Sequence, residues 1–190
     1  MEKVRNIKPA RSELYDTAAA VVRRLRDEGH RAYFVGGGPR DMVMDIPPEE
    51  YDITTSATPE QVSAIFSHTV PVGVSFGVIL VLESDFKFEV ATFRKDVSYS
   101  DGRHPDSVEY SEHERDDVLR RDFTINGMLY DPLREVIIDY VGGMDDLDSG
   151  LLRTIGEARE RFSEDKLRMM RAVRFGARYG FEIERNTFEA

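Results

Sequence analysis

Three glycines run into an arginine at Gly36-Gly37-Gly38-Pro39-Arg40-Asp41. Residues without a Cβ let backbone N–H groups approach phosphate oxygens, and a helix starting at such a turn adds positive potential. Arg40 can meet the same anion with two parallel hydrogen bonds. A plain glycine turn with no ligand is the competing reading. Glu50-Tyr51-Asp52 follows ten to twelve residues after Arg40. On an extended segment residues two apart face the same way, so Glu50 and Asp52 project side by side. Adjacent carboxylates repel unless a cation lies between them. Magnesium, which takes oxygen ligands and keeps substrate phosphates in its shell, suits the pair; an acidic turn after Pro47-Pro48 is the alternative. Glu89, between Phe88 and Val90, offers a third carboxylate, or else faces solvent or pairs with Arg94. A phosphate-cradling turn, a carboxylate pair and a third acid, in that order, fit two-metal in-line phosphoryl transfer: one ion activates a hydroxyl and the other stabilises leaving pyrophosphate.

Late in the chain Asp165, Arg168, Arg171 and Arg174 recur every three residues beside an apolar stripe of Leu167, Met170, Val173 and Ala177. As a bare pattern this is a solvated charged face. His104 and Asp106 can touch RNA or order their own loop, and an exposed polar turn is the simpler account. His30, His68, His104 and His113 have no metal-ligand spacing.

Those residues need elements to hold them. Helical spacing predicts a helix over 12–28, capped by Ser12 and stopped at Gly29. A strand over Arg31–Val35 enters the glycine turn, and a short helix follows over Arg40–Met44. Tyr51–Thr55 alternates as a strand, and Thr58-Pro59-Glu60 opens a helix that runs through Phe66. Gly77–Glu83 and Phe86–Phe93 read as two strands turning at Ser84-Asp85, and Val136–Tyr140 as another. Residues 95–116 read as a long polar loop. Gly142-Gly143 reads as a turn, and Ser163–Tyr179 as one helix. The sum is an α/β fold, a mixed sheet with flanking helices.

A chain of 190 residues, 41% hydrophobic, supports one domain plus the beginning of a second. It has no cysteine, hence no disulfide, thiolate nucleophile or Cys-type zinc site. It shows neither a bilayer-length apolar run nor a secretory signal, so a soluble, unprocessed, cytoplasmic protein is expected. A net charge of −10 excludes a chain whose whole surface grips a polyanion. Any RNA contact must be local, on the side where arginines crowd between Arg153 and Arg185.

The ordered segments GGGPRD, EYDITTSATP, FEVATFR, DGRHPDSVEY, RRDFTINGMLY, DYVGGMDDL and SEDKLRMMRAVRFGARYGF cover roughly residues 30–190. Together they resemble the head and the start of the neck of the class II tRNA nucleotidyltransferase and bacterial poly(A) polymerase family. The resemblance implies a polymerase-β-like nucleotidyltransferase head over 1–150 and the opening of a helical neck over 151–190. It assigns Gly37 and Arg40 to the incoming nucleotide and Glu50 and Asp52 to magnesium. It also sets Arg121, Asp165, Arg168, Arg171 and Arg174 around the NTP, and makes Asp139 with Gly142 and Gly143 a hinge, where the residues alone give a strand end and turn.

Position 39 departs from the family with proline for a small aliphatic residue, and position 50 with glutamate for aspartate; proline is tolerated in a first helical turn. In the resemblance Asp165 and Arg168 template the base. A carboxylate only accepts and a guanidinium only donates, which matches the amino-donor, ring-acceptor edge of cytosine or adenine and leaves uracil or guanine unpaired. The implied activity is addition of CCA to a tRNA 3′ end from CTP and ATP. A poly(A), A-adding or CC-adding enzyme stands second, and a non-catalytic nucleotide- or RNA-binding module is the reading from another class.

Overall fold

The computed structural model describes residues 2–73, 76–103 and 105–190. In chain order the elements are β1 (Lys3–Asn6), α1 (Glu13–Asp27), β2 (Ala32–Val35), α2 (Gly37–Val43), β3 (Asp52–Thr55), α3 (Pro59–Ile65) and β4 (Thr69–Gly73). Next come β5 (Val78–Glu83), β6 (Phe86–Thr92), β7 (Arg94–Val97), β8 (Ser107–Tyr110) and α4 (Glu114–Leu119), then a 3₁₀ turn (Thr124–Asn126). The chain continues through β9 (Met128–Asp131), β10 (Val136–Asp139), α5 (Gly143–Ser149), β11 (Leu151–Leu152), α6 (Ala158–Glu164), α7 (Leu167–Tyr179), β12 (Glu182–Ile183) and α8 (Arg185–Glu189).

Among the described residues the main sheet has eight strands in the order β1-β10-β9-β2-β3-β6-β5-β4. The β3–β6 pair is parallel and its other neighbours are antiparallel, so the expected mixed sheet is present. Strand alternation divides the core. Phe34, Ile53, Phe88, Val90, Tyr130 and Ile137 face α1 and α3 in the larger apolar cluster. Val35, Leu129, Val136 and Ile138 face the other way and meet Val118 of α4. Asp52 and Thr54 alternate with Ile53, and Glu89 alternates with Phe88 and Val90, so these polar residues share the second face.

Local signals explain the helices. Ser12 accepts from the Tyr15 N–H to start α1, which buries Tyr15, Ala18, Val21, Val22 and Leu25. Thr58 and Gln61 form a reciprocal capping box at α3, with Pro59 in its first turn. The helix expected over Arg40–Met44 begins at Gly37 instead, and Gly143, expected in a turn, opens α5.

The structure corrects the sequence reading in two further places. Residues 95–116 contain the β7–β8 hairpin and the start of α4, where a long loop was expected. The helix expected over Ser163–Tyr179 is two helices: α6 ends at Glu164, and Asp165 has extended backbone angles of φ −139° and ψ 104°. In α7 the residues turned inward are Arg168, Ala172 and Phe175, while Leu167, Met170 and Val173 are exposed. The larger apolar cluster runs on from the sheet through Leu152 and Phe162 to Ala172 and Phe175, so the first 150 residues and the helices after them share one core.

Candidate active site

β2 ends at Val35, which pairs with Asp52 of β3, so the glycine turn leaves the sheet beside the acidic segment. Gly36 has φ 75° and ψ −126°, a backbone shape that disfavours any side chain, and a Cβ there would lie 3.4 Å from Asp52 Oδ2. A Cβ on Gly38 would lie 3.3 Å from the Tyr51 ring. That ring points down into the core, 4.7 Å from Phe34 and 5.7 Å from Tyr15 between centroids. Anchoring Tyr51 inward turns its two flanking carboxylates away from the core: Glu50 is exposed and Asp52 half-buried.

The carboxyl of Asp52 is pushed up from 3.8 to about 6, first by burial and then by repulsion from Glu50 and Glu89, against a smaller attraction from Arg121. An acid held this way is short of positive charge, and its hard oxygen donors fit a divalent cation. Glu89 stands on β6 beside Asp52 and its charge acts on that carboxyl. Among the described residues no three His, Cys, Asp or Glu side chains converge as a metal-ligand group, and Glu89 is exposed. Nor does Glu89 pair with Arg94, whose guanidinium bonds Asp96 at 3.0 Å and the Phe76 carbonyl.

Above the glycine turn lies a cleft of about 270 Å³, lined by Gly37, Gly38, Arg40, Glu50, Arg174 and Arg178 among others. Arg40 reaches it but is already engaged. It donates from Nε to Asp41 at 2.9 Å and from Nη1 to Asn126 at 2.7 Å, and Nη2 lies 2.7 Å from Asp41. Asn126 donates to Asp122 at 3.4 Å, and Asp122 accepts from Arg171 Nε at 2.6 Å. This relay ties the glycine turn to α7. Phe175 and Tyr179 strengthen the tie, their ring centroids lying 5.6 and 4.9 Å from the Arg40 guanidinium.

Arg121 donates to Asp117 at 2.8 Å, and its Nε is buried without a partner. Asp117 also accepts from Arg120 at 2.6 Å and from Thr54 at 3.2 Å. Burial alone would raise the Asp117 carboxyl, but Arg121 and Arg120 outweigh it and hold the group at about 2.

The two residues expected to template a base are neighbours that do not pair. Asp165 accepts from the Leu167 N–H at 2.9 Å and so caps α7. Arg168 is turned inward, donating to Glu164 at 2.8 Å and to the carbonyls of Arg161 at 3.2 Å and Arg120 at 3.1 Å. Sequence reasoning missed Asp41, Asp117, Asp122, Asn126 and Arg178. Asp122 and Asn126 lie within RRDFTIN, the segment that drew attention to Arg121, while Arg178 follows Arg174 by one helical turn. Asp139 caps the start of α5, accepting from the N–H groups of Val141, Gly142 and Met144 at 2.9, 2.9 and 3.0 Å, as an ordinary strand end and turn would. Asp106 accepts from Ser98 and Ser100 and so orders its own loop, while His104 lies outside the described residues.

A profile of the poly A polymerase head domain matches residues 32–153, from β2 to just past β11. The chain belongs to the poly A polymerase head-domain family. Among curated members it is 44% identical to the CCA-adding enzyme of Streptococcus uberis over 176 residues, covering 93% of this chain and 43% of that one. It is 43% identical to the CCA-adding enzyme of Staphylococcus aureus strain MRSA252, over 93% of this chain and 44% of that one. The crystal structure of the Bacillus stearothermophilus CCA-adding enzyme in complex with CTP superposes with a TM-score of 0.85 at 38% identity, covering 94% of this chain and 43% of that chain. The chain therefore spans a little under half the length of the head-domain family members it matches. No helix among the described residues is long and apolar enough to cross a membrane.

Proposed function

We propose that this chain is the catalytic part of a cytoplasmic tRNA nucleotidyltransferase that adds CCA to tRNA 3′ ends from CTP and ATP. We read residues 1–150 as the head and 151–190 as the start of a neck. The observation that carries the proposal is Asp52, held short of positive charge beside Glu50 and set against a glycine turn under an arginine-lined cleft. The names of the relatives, and the solved complex of a CCA-adding enzyme with CTP, support the choice of substrates.

In this reading the RNA 3′ oxygen attacks the α-phosphorus of the bound NTP in line. The new P–O bond forms as the bond to the bridging oxygen of pyrophosphate breaks. Gly37 and Gly38 let the backbone approach the triphosphate, and Arg40, Arg121, Arg171 and Arg174 line its path. Glu50 and Asp52 hold magnesium, which supplies positive charge to the attacking hydroxyl and the leaving group when bound. Glu89 adds negative potential from the neighbouring strand and is not itself a ligand. Asp165 accepts from the exocyclic amino group of cytosine or adenine. Arg168 donates to the ring acceptor once its hold on Glu164 is exchanged. Catalysis comes from positioning and charge, with no covalent work by the carboxylates.

The test is incorporation of each labelled NTP into tRNA ending before CCA, in C and in CC, by the full-length protein and its Glu50→Gln/Asp52→Asn variant. Ordered addition of C, C and A that disappears in the variant is expected. Addition of A alone would replace this reading with an A-adding or poly(A) enzyme. No incorporation by the unmodified protein would leave a binding module.

A further inference from the structure

We propose that Arg178, with Arg174, holds the β- and γ-phosphates of the incoming nucleotide, the part that leaves as pyrophosphate. This inference rests on the nucleotidyltransferase reading above and adds a residue to its site. Three observations carry it. First, Arg178 lines the cleft that contains Gly37, Gly38 and Glu50, and it is exposed there. Second, among the described residues neither Arg174 nor Arg178 makes an ion pair, although Glu49 and Glu50 line the same cleft. Arg40, Arg168 and Arg171 nearby are all paired with carboxylates. Two guanidiniums with no carboxylate within ion-pair distance, beside a glycine turn, suit a multiply charged anion, and a planar fork of donors suits phosphate oxygens. Third, the Tyr179 ring lies 4.9 Å from the Arg40 guanidinium and 5.3 Å from that of Arg178. One ring thus fixes both cations before a ligand arrives, which lowers the ordering cost of binding.

Helix geometry gives the direction. Arg168 and Arg178 are ten residues apart on α7 and so about 15 Å apart along its axis, close to the length of an extended nucleoside triphosphate. With the base at Asp165 and Arg168, the far end of the helix meets the phosphate tail.

The test measures equilibrium binding of CTP, CMP and inorganic pyrophosphate to the full-length protein and its Arg178→Gln and Arg178→Lys variants, together with KM for tRNA. Arg178→Gln is expected to weaken CTP and pyrophosphate roughly tenfold and leave CMP within about twofold, with partial recovery in Arg178→Lys. Its melting temperature should match the parent's, since the side chain is exposed. Unchanged CTP affinity, or an equal loss for CMP, would overturn the assignment, and a loss confined to KM for tRNA would move Arg178 to the RNA strand. If the parent itself binds no CTP, the nucleotidyltransferase reading fails and takes this inference with it. If the parent binds and Arg178→Gln binds equally well, only this inference fails.

Discussion

Asp52 and Asp117 lie on the same face of the sheet, linked through Thr54, which is two residues from Asp52 on β3 and donates to Asp117. Asp117 is fully buried, receives two arginines, and is held at about 2. Asp52 is half-buried, has two acids near it and only a distant share of Arg121, and is pushed up to about 6. Burial acts on both in the same direction, so the difference lies in what surrounds them. One carboxylate is neutralised by the protein and serves the fold. The other keeps no such partner among its neighbours, and in the proposed reading its counter-charge is the bound metal.

The contrast can be broken from either side. The largest effect is expected at the Glu50/Asp52 pair: Glu50→Gln/Asp52→Asn should lower nucleotide incorporation at least about 1,000-fold while the fold persists, read by single-turnover kinetics and circular dichroism. Asp117→Ala should instead destabilise the protein by about 3–5 kcal/mol in urea unfolding, because it leaves the half-buried Arg121 without its carboxylate and Arg120 with only Asp96, 3.8 Å away.

Asp52→Asn alone should raise stability at pH 7 by roughly 1–3 kcal/mol in the presence of chelator. The sign follows from the raised value: the protonated acid favours the folded state, and that advantage is present below about 4 and lost as pH rises through about 6. The parent should therefore lose stability relative to Asp52→Asn across that window. Asp117 acts oppositely, its contribution being present above about 4 and lost as pH falls toward 2. The smallest effect tests the one residue shared by both acids. Arg121→Gln should move the midpoint for loss of metal binding on acidification upward by less than about one pH unit, because it removes the attraction that opposes the rise at Asp52.

What the sequence revealed follows from how local each signal is. The glycine turn and the two carboxylates flanking an inward Tyr51 are written in short contiguous stretches, so their local geometry was legible, while their role belongs to the proposal. The capped helices α1 and α3 were legible for the same reason. β1 was not, because all four of its residues are exposed and carry no alternation; its pairing is supplied by β10, with Lys3–Asp145 and Arg5–Asp148 contacts alongside. β4 carries Pro71, which argues against a strand unless the strand lies at a sheet edge, where the topology puts it. The polar hairpin β7–β8 hid in the same way. Around the site, the period of three in α7 predicted one continuous row of charges. The break at Asp165 instead sends Arg168 inward and leaves Arg174 and Arg178 over the cleft, which no spacing rule could anticipate.

Gly143 shows how far such a site reaches. A Cβ there would overlap the Thr124 carbonyl oxygen, which belongs to the short turn that also carries Asn126, the partner of Arg40. Replacing Gly143 with alanine would press on that turn and, through Asn126, on the guanidinium beside the glycines. A screen for impaired alleles would score the change as a substrate-affinity defect, although Gly143 does not line the cleft. In the proposed reading, inheritance would thus extend the nucleotide site to a helix start outside the cleft.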